Sequence, residues 1–232
     1  MMPRAFTDKV QAIIAAAGTG TRLKSRVAKP LIVLNGKPLL YYSLSIFEKS
    51  SLIDSIVVVG HSQNLDEIKK LVKKFRFKKV VAVVAGGQTR CESVAKGLEV
   101  LEQNTEYVVV HDAARPFVSK EILEQSIKVG LSESAAVVAV PVKSTIKKVD
   151  PKNLYVQETL IRDTLWEIQT PQVFKKDVLV KAHQAMDCCD PTDDAVLVEK
   201  IGIKVKIVKG NYRNIKVTTR EDLALAKILL KT

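Results

Sequence analysis

The sequence predicts an α/β fold, a Rossmann-like open sheet of mostly parallel strands flanked by helices. Two observations predict it. Runs such as "SIVVVG" at residues 55–60 and "YVVVHD" at residues 107–112 are almost continuously apolar, which is typical of strands buried on both faces. Between such runs, segments such as "LDEIKKLVKKF" at residues 65–75 carry apolar residues at three- and four-residue steps, which indicates helices packed against a sheet.

The predicted strands and helices alternate along the chain. The first strands are expected at "QAIIAAA" (11–17), "SIVVVG" (55–60), "KVVAVVAG" (79–86), "YVVVHD" (107–112) and "AAVVAVPV" (135–142). Helices are expected at "PLLYYSLSIFEKS" (38–50), "LDEIKKLVKKF" (65–75), "CESVAKGLEVLEQN" (91–104) and "SKEILEQSIKVGL" (119–131). Because ligands of such sheets bind beyond the carboxyl ends of the strands, the loops after the strands are where a functional site is expected.

The alternation falters between about residues 143 and 174. There, "VKSTIKKVDPKNLYVQETL" is typical of two short polar strands around the turn "DPKN". We expect one domain over residues 1–232, with a projecting β-hairpin arm inserted at about residues 142–172. The arm either packs on a subunit partner to form a homodimer or is an ordinary surface hairpin.

The C-terminal part returns to alternating elements. Helices are expected near "KKDVLVKAHQAM" and "PTDDAVLVEKI". They are followed by strands at "KVKIVKG" and "NIKVT" and by a closing helix that opens at "TTREDL".

Bulk composition limits the class of protein. The 37 basic and 25 acidic side chains give a formal net charge of +12, which favours an anionic partner. The lysines are scattered in pairs with few aromatic residues between them, so no nucleic-acid stacking platform is evident. Three cysteines without CxxC spacing argue against a zinc site or a disulfide framework.

The hydropathy of the sequence predicts neither a membrane helix nor a signal peptide. No apolar run approaches the roughly 18 to 20 residues that a membrane helix needs, and the N-terminus lacks the apolar core of a signal peptide. We expect a cytoplasmic protein without membrane contact, or a protein of the plastid stroma if the chain is a mature organellar form.

The first strand runs into a glycine loop, "AAAGTGTRL". Gly18 and Gly20 let the backbone approach a ligand and turn its N–H groups toward a phosphate. A dinucleotide fingerprint would have a third glycine where Leu23 stands, and a P-loop would end in Gly-Lys-Ser/Thr, so neither motif fits. Arg22 and Lys29 add cations suited to phosphate, although a tight turn with two solvated cations is the alternative.

A second glycine loop, "AGGQTRCESV", follows another predicted strand. Gly87 lets the backbone approach a flat base, and Gln88 or Ser93 offers hydrogen-bonding groups. The alternative is a plain strand-to-helix turn that is capped by Thr89.

A third strand end, in "VVVHDAARPFV", carries charged residues. Asp112 can accept from a sugar hydroxyl or approach a metal shell, and Arg115 can bind a phosphate; alternatively, the two form an ion pair that holds the loop. We interpret His111 as a hydrogen-bonded packing residue rather than a ligand. Asp193 and Asp194 are interpreted as serving the start of a helix rather than a metal.

Eight motifs stand in the order found in the 2-C-methyl-D-erythritol 4-phosphate cytidylyltransferases, and the chain resembles that family from about residue 10 to its C-terminus. They are "AAAGTGTR", "GKPLL", "GGQTRCESV", "VHDAARPFV", "VPVKSTIKKV", "RDTLWEIQTPQVF", "TDDAVLVE" and "NIKVTTREDL". The resemblance implies that CTP and 2-C-methyl-D-erythritol 4-phosphate give a CDP-alcohol and pyrophosphate in the non-mevalonate isoprenoid pathway. It also implies Mg²⁺ as the cofactor, held mainly by the CTP phosphates and without a direct protein ligand.

The resemblance implies roles for individual residues as well. Catalytic roles are expected for Arg22, Lys29, Arg162 and Lys216. The nucleotide site is expected at Ala16, Ala17, Gly18, Gly20, Gly87, Gln88 and Ser93. The polyol phosphate is expected to contact Asp112, Arg115, Thr145, Arg162 and Lys216. Because family members are typically homodimers in which the arm reaches the neighbour's site, Thr145 and Arg162 are expected to act across the interface.

The chain departs from the family pattern in three places. Ala28-Lys29-Pro30 replaces the usual Pro-Lys-Gln, Gln88 replaces an acidic residue of some members, and "TLIRDTLW" lacks the usual preceding prolines. A ribitol 5-phosphate cytidylyltransferase is the nearest alternative, but "HDAARP" favours the methylerythritol family, because ribitol enzymes tend to carry a bulkier residue before the arginine. A basic nucleic-acid-binding protein would explain the net charge but would leave the glycine loops and the arm without a role.

Overall fold

A seven-stranded sheet forms the centre of the structure, a computed structural model that describes residues 8–18, 20, 23, 27–185 and 191–231. The strands are β1 Val10–Ala16, β2 Val33–Leu34, β3 Lys37–Pro38, β4 Ser55–Gly60, β5 Val80–Ala85, β6 Tyr107–Asp112, β7 Ala135–Pro141, β8 Lys147–Val149, β9 Val156–Thr159, β10 Trp166–Lys175 and β11 Lys206–Lys209. The helices are α1 Leu39–Lys49, α2 Leu65–Phe75, α3 Arg90–Glu99, α4 Lys120–Glu133, α5 Lys176–Gln184, α6 Asp194–Lys200 and α7 Arg220–Leu229. None of the helices in the described residues is both long and apolar enough to span a membrane.

The strand order in the central sheet is β11-β7-β10-β6-β1-β4-β5. All neighbouring pairs are parallel except those that β10 makes with β6 and β7, so the predicted α/β fold with a mostly parallel sheet is confirmed. From β1 the chain moves outward to β4 and β5, and then returns to the other side of β1 with β6. Open sheets bind ligands at such a reversal of strand order, which places the expected site beyond β1.

Helices cover both faces of the sheet because successive strand residues point to opposite sides. On β1, Ile14 lies in a buried cluster with Leu44 of α1, whereas Ile13 lies in a second cluster with Val94 of α3 and Leu179 of α5. Burying one such aliphatic side chain contributes roughly 1.5–3 kcal/mol. The two-sided core therefore fixes the strands, and with them the positions of the loops at their carboxyl ends.

The region in which the alternation falters contains two different structures. β8 and β9 pair antiparallel as a separate two-stranded sheet with exposed side chains, at the place where two short polar strands were expected. β10 instead enters the central sheet, so the last part of the predicted insertion, from Trp166 onward, belongs to that sheet. Polar residues interrupt the apolar pattern of β10, although its Val173 and Phe174 are fully buried.

The strand predicted at "NIKVT" is wrong, because residues 214–218 belong to no strand. The side-chain amide of Asn214 donates to Gln169 Oε1 at 3.1 Å and to the Thr170 carbonyl at 2.9 Å. The backbone N–H of Val217 donates to the Ala114 carbonyl at 2.8 Å. The segment is thus held by the Asn214 side chain against β10 and by one backbone bond to the loop after β6, and it forms no strand ladder.

Candidate active site

A cavity of about 560 Å³ lies beyond the carboxyl ends of β1, β4, β5 and β6. These strands surround the reversal of strand order, where α/β proteins place their ligands. The walls include backbone of the two glycine loops, together with Lys29, Asp112 and Lys216. The cavity therefore combines exposed peptide groups with charged side chains.

The loop after β1 forms one wall of this cavity. Residues 16–18 and Gly20 line it. Gly20 has a φ of +69°, and a Cβ there would lie 2.9 Å from the Cβ of Lys29. Glycine is needed at this position because it allows both the backbone turn and the close approach of Lys29, which also lines the cavity. Arg22, the other predicted catalytic cation of the loop, lies outside the described residues.

The loop after β5 forms the facing wall and contacts the first loop closely. A Cβ on Gly86 would lie 2.5 Å from Ser93 Oγ and 2.8 Å from Ala17 Cβ. Ser93 is buried, and its hydroxyl donates to the Thr89 carbonyl at 2.8 Å. The Thr89 side chain caps α3 by accepting from the Glu92 backbone N–H at 3.1 Å. The expected helix cap is therefore present, and it holds Ser93 against the cavity.

Gly87 and Gln88 complete that wall. The side chain of Glu92 also lines the cavity, which the sequence did not predict. The Gln88 backbone N–H donates to Glu92 Oε2 at 2.7 Å, and the Gln88 side chain is exposed. A Cβ on Gly87 would lie 2.3 Å from the Cβ of Glu92. The absence of a side chain at Gly87 thus lets the Glu92 carboxylate fold over the loop at the edge of the cavity.

Asp112, at the end of β6, is surrounded by cations. Its carboxylate lies 3.1 Å from Arg90 Nε, 2.7 Å from Lys216 Nζ and 3.9 Å from Arg115 Nε. Burial alone would raise the pKa of Asp112, but the attraction of Arg90, Lys216 and Arg115 outweighs burial and holds it well below its ordinary value. Asp112 is therefore a carboxylate that anchors the cations of the site.

Arg90, the first residue of α3, bridges two buried carboxylates. Its Nη1 lies 2.7 Å from Asp194 Oδ2, and its Nε contacts Asp112. Burial disfavours its charge, but Asp194 and Asp112 outweigh burial and raise the pKa of Arg90 above its ordinary value. The prediction of a helix cap is confirmed for Asp193, which accepts from the Val196 backbone N–H at 3.1 Å. For Asp194 the interpretation misses its main contact, the ion pair with Arg90.

Arg115 is buried and holds the backbone of two other segments. Its Nη1 donates to the Asn214 carbonyl at 2.9 Å, and its Nη2 donates to the Ile168 carbonyl at 3.2 Å. The ion pair with Asp112 that was considered as an alternative is present at 3.9 Å. Arg115 therefore orders the site and contributes positive charge to it.

His111, in β6, holds the loop that follows this strand through hydrogen bonds, as expected of a packing residue. Its Nε2 donates to the Arg115 carbonyl at 3.1 Å, so Nδ1 accepts from the Thr170 hydroxyl at 2.9 Å. The same hydroxyl accepts from the Asp112 backbone N–H at 3.0 Å. Complete burial lowers the pKa of His111 to about 4, so the ring is neutral at pH 7.

A second cavity, of about 370 Å³, adjoins the first and shares Arg90, Asp112 and Lys216 with it. Arg90 Nη2 and Arg115 Nε are buried and lack hydrogen-bond partners among the described residues. The residues that both cavities share, Arg90, Lys216 and Asp112, carry a net charge of +1, and Arg115, Asp193 and Glu199 line the second cavity as well. The junction of the two cavities is suited to an anionic group.

Thr145 and Arg162 do not join this group within the chain. Both are exposed in the segment around β8 and β9, and neither lines the 560 Å³ or the 370 Å³ cavity described above. The prediction that they act across an interface stays a prediction.

Sequence reasoning found most of the walls but missed several side chains. Arg90 stands within a motif that was singled out and opens a predicted helix, so it had a signal. Thr170 and Asp194 also stand within quoted motifs, but their contacts had no local signal, because their partners are distant in sequence and meet only through the position of β10 and α6.

Comparison with known proteins gives a consistent result. A sequence model of the 2-C-methyl-D-erythritol 4-phosphate cytidylyltransferase family matches residues 10–232. The chain is 47% identical over 229 residues to the protein of that name from Alkaliphilus metalliredigens, covering 97% of this chain and 95% of that protein. It is 43% identical over 225 residues to the one from Caldanaerobacter subterraneus, covering 96% and 99%.

Solved structures are similar as well. The 4-diphosphocytidyl-2C-methyl-D-erythritol synthase of Anaerococcus prevotii superposes with a TM-score of 0.86 at 33% identity, covering 97% of both chains. The 2-C-methyl-D-erythritol 4-phosphate cytidylyltransferase of Thermus thermophilus gives a TM-score of 0.77 at 28% identity, covering 97% of this chain and all of that one.

Proposed function

Because this chain belongs to the 2-C-methyl-D-erythritol 4-phosphate cytidylyltransferase family, we propose that the cavity beyond β1 binds CTP and that the cations around Asp112 bind the sugar phosphate. The chain is a nucleotidyltransferase that joins CTP and 2-C-methyl-D-erythritol 4-phosphate to form the CDP-alcohol and pyrophosphate in isoprenoid precursor synthesis. The chemistry of the two cavities supports the assignment of residues to each substrate that the family resemblance implies.

The two glycine loops suit the nucleotide. Their peptide groups and the Ser93 hydroxyl can hydrogen-bond a base that lies in the gap next to Ala17 and Gly87. Lys29 stands at the opposite side of the loop after β1 and supplies charge for the triphosphate, and Arg22 has the same expected role. The nucleotide phosphates would thus point from the glycine loops toward the cations.

The observation that carries the proposal is the net positive junction between the cavities. A sugar phosphate there would pair with Lys216, next to the positively charged side chains of Arg90 and Arg115. The Asp112 carboxylate holds these cations in place and can accept from a hydroxyl of the sugar. One anionic substrate is therefore held next to the other despite their mutual repulsion.

The chemistry needs positioning and charge neutralisation more than a strong base. A phosphate oxygen of the sugar phosphate forms a bond to the α-phosphorus of CTP, while the bond to the leaving pyrophosphate breaks in line on the opposite side. The attacking phosphate is largely ionised near neutral pH, so it needs no general base. His111 does not act as one, because it is buried and both of its ring nitrogens are hydrogen-bonded within the protein. Lys29 and Lys216 stabilise charge on the transferring and leaving oxygens.

Mg²⁺ fits as an ion that is carried on the triphosphate. The described residues contain no group of three or more His, Cys, Asp or Glu side chains able to hold a metal, and the carboxylate of Asp112 already faces three cations. CTP phosphate oxygens would therefore be its main ligands, and the bound ion would neutralise charge on the pyrophosphate.

The hairpin supports a homodimer. Its side chains Leu154, Tyr155 and Ile161 are 75%, 75% and 74% exposed, which is unusual for large apolar residues gathered in one segment. A second copy of the chain would cover them and could bring Thr145 and Arg162 to the sugar-phosphate site of the neighbour.

Pyrophosphate release tests the proposed reaction. The purified protein with CTP and Mg²⁺ is offered 2-C-methyl-D-erythritol 4-phosphate or ribitol 5-phosphate at equal concentration. Release that depends on the methylerythritol substrate is expected. Release with ribitol 5-phosphate alone would change the substrate, and release with neither would contradict the proposal.

A further inference from the structure

A buried row of polar contacts connects His183 on α5 with Asp112 in the site. His183 Nε2 lies 3.1 Å from Asp194 Oδ1, and Asp194 Oδ2 lies 2.7 Å from Arg90 Nη1. Arg90 Nε then donates to Asp112 Oδ1 at 3.1 Å. Four elements, α5, α6, α3 and β6, are joined by this row, which no sequence motif indicated.

The far end of the row fixes the orientation of the histidine ring. Because the carboxylate of Asp194 only accepts, Nε2 of His183 donates to it, and in the neutral ring Nδ1 is then the acceptor. The Cys91 thiol lies 3.6 Å from Nδ1, at a distance suited to donating to it. Cys91 is 2% exposed, and the side chain of His183 is 7% exposed, so the ring is held from both sides.

The row matters because each oxygen of Asp194 has one side-chain partner among the described residues. Without the donor at His183, Oδ1 would be left in a site that is 1% exposed, and a buried carboxylate oxygen without a donor is strongly disfavoured. Rotation of the carboxylate would bring Oδ1 toward Arg90, whose Nη2 lacks a partner among the described residues. Such a two-point pairing would draw the guanidinium away from Asp112.

Loss of the contact with Arg90 would change how Asp112 binds Lys216. With one donor gone, the Asp112 carboxylate would hold Lys216 Nζ, at 2.7 Å, more tightly. Lys216 would then be less free to pair with a bound phosphate. Gly87, Gln88 and Ser93, which are expected to contact the nucleotide, are not among the hydrogen-bonded members of this row in the described part of the chain, although Arg90 also lines the first cavity.

We propose that His183 is a positioning residue for the sugar-phosphate site, acting through Asp194 and Arg90 on Asp112. The inference rests on the proposed function in one respect, the assignment of Asp112 and Lys216 to 2-C-methyl-D-erythritol 4-phosphate. His183 does not touch the substrate; it sets the geometry of the groups that do.

Steady-state kinetics of four variants test this role. His183→Leu removes the donor, and His183→Asn removes it while leaving a polar side chain in case the leucine variant does not fold. His183→Gln keeps an N–H at the position of Nε2. Gln184→Leu, at an exposed neighbour on the same helix, is the matched control. KM for each substrate, kcat and the thermal midpoint are measured for all four and for the wild-type protein.

We expect the KM for 2-C-methyl-D-erythritol 4-phosphate to rise about tenfold in the leucine and asparagine variants, the effect of losing roughly one hydrogen bond to a charged group. The KM for CTP should change by less than about threefold, and both His183→Gln and the control should stay within about twofold of the wild type. The inference would be overturned by unchanged KM values in His183→Asn or by equal rises in KM for both substrates. It would also be overturned if His183→Gln failed to restore the KM for the sugar phosphate. A wild-type protein without turnover would instead overturn the proposed function.

Discussion

Neutral His111 predicts a specific dependence of stability on pH. Complete burial lowers its pKa from an ordinary 6.5 to about 4, so the unfolded chain binds a proton in a range where the folded chain does not. Stability is therefore unaffected by this group above pH 6.5, falls as the pH drops from 6.5 toward 4, and levels off below that. At about 1.4 kcal/mol per pKa unit, the loss amounts to about 3 kcal/mol.

Urea unfolding at a series of pH values between 7.5 and 4 measures this loss. His111→Gln is the matched variant, because its amide can still donate to the Arg115 carbonyl while it cannot titrate. The difference between the two proteins in the free energy of unfolding isolates the histidine from the other groups. Parallel curves for the two proteins would refute the reasoning, since they would mean that His111 takes up its proton in the folded state as easily as in the unfolded chain.

Three further predictions concern the loops, the cation cluster and the hairpin. Gly86→Ala should raise the KM for CTP at least about tenfold, because the new Cβ would lie 2.5 Å from Ser93 Oγ. Gly18→Ala should leave the thermal midpoint unchanged, because a Cβ at that position would have no described neighbouring atom within 4 Å. Asp112→Asn should lower the free energy of unfolding in urea by about 3 kcal/mol, because it removes the buried carboxylate that Arg90, Arg115 and Lys216 share. Leu154→Asp combined with Tyr155→Asp should convert a dimer to a monomer in analytical ultracentrifugation.

Each of these has a clear contrary result. Equal KM values for CTP in the Gly86→Ala variant and the wild type would show that the contact between the two glycine loops does not shape the nucleotide site. Wild-type stability of Asp112→Asn would mean that the cations are solvated. A monomeric wild-type protein, or a double variant that stays dimeric, would contradict the role of the hairpin.

The sequence predicts best the features that depend on local pattern. The parallel strands could be found because strands buried on both faces are apolar throughout, and the glycine loops because they follow such strands. β10 could not be found in this way, since Gln169, Thr170 and Gln172 interrupt its apolar residues and make long-range hydrogen bonds. The row from His183 to Asp112 joins four elements, so only the fold brings its members together.

Lys216 shows the same limit from another side. Its segment resembles a strand in sequence, but the side-chain amide of Asn214 donates to Gln169 and Thr170 of β10, and the N–H of Val217 donates to the Ala114 carbonyl in the loop after β6, so no strand ladder forms. The wrong prediction of a strand and the prediction of Lys216 as a site residue therefore come from different sources, a local apolar pattern and the resemblance to a family.

A crystal structure with the product, the CDP-linked methylerythritol, tests the central claim most directly. We predict that the cytosine lies between the two glycine loops near Ser93 and that the diphosphate lies toward Lys29. The polyol should lie beside Asp112 and Lys216. A polyol bound away from Asp112, or a base outside the cavity of the glycine loops, would contradict the account.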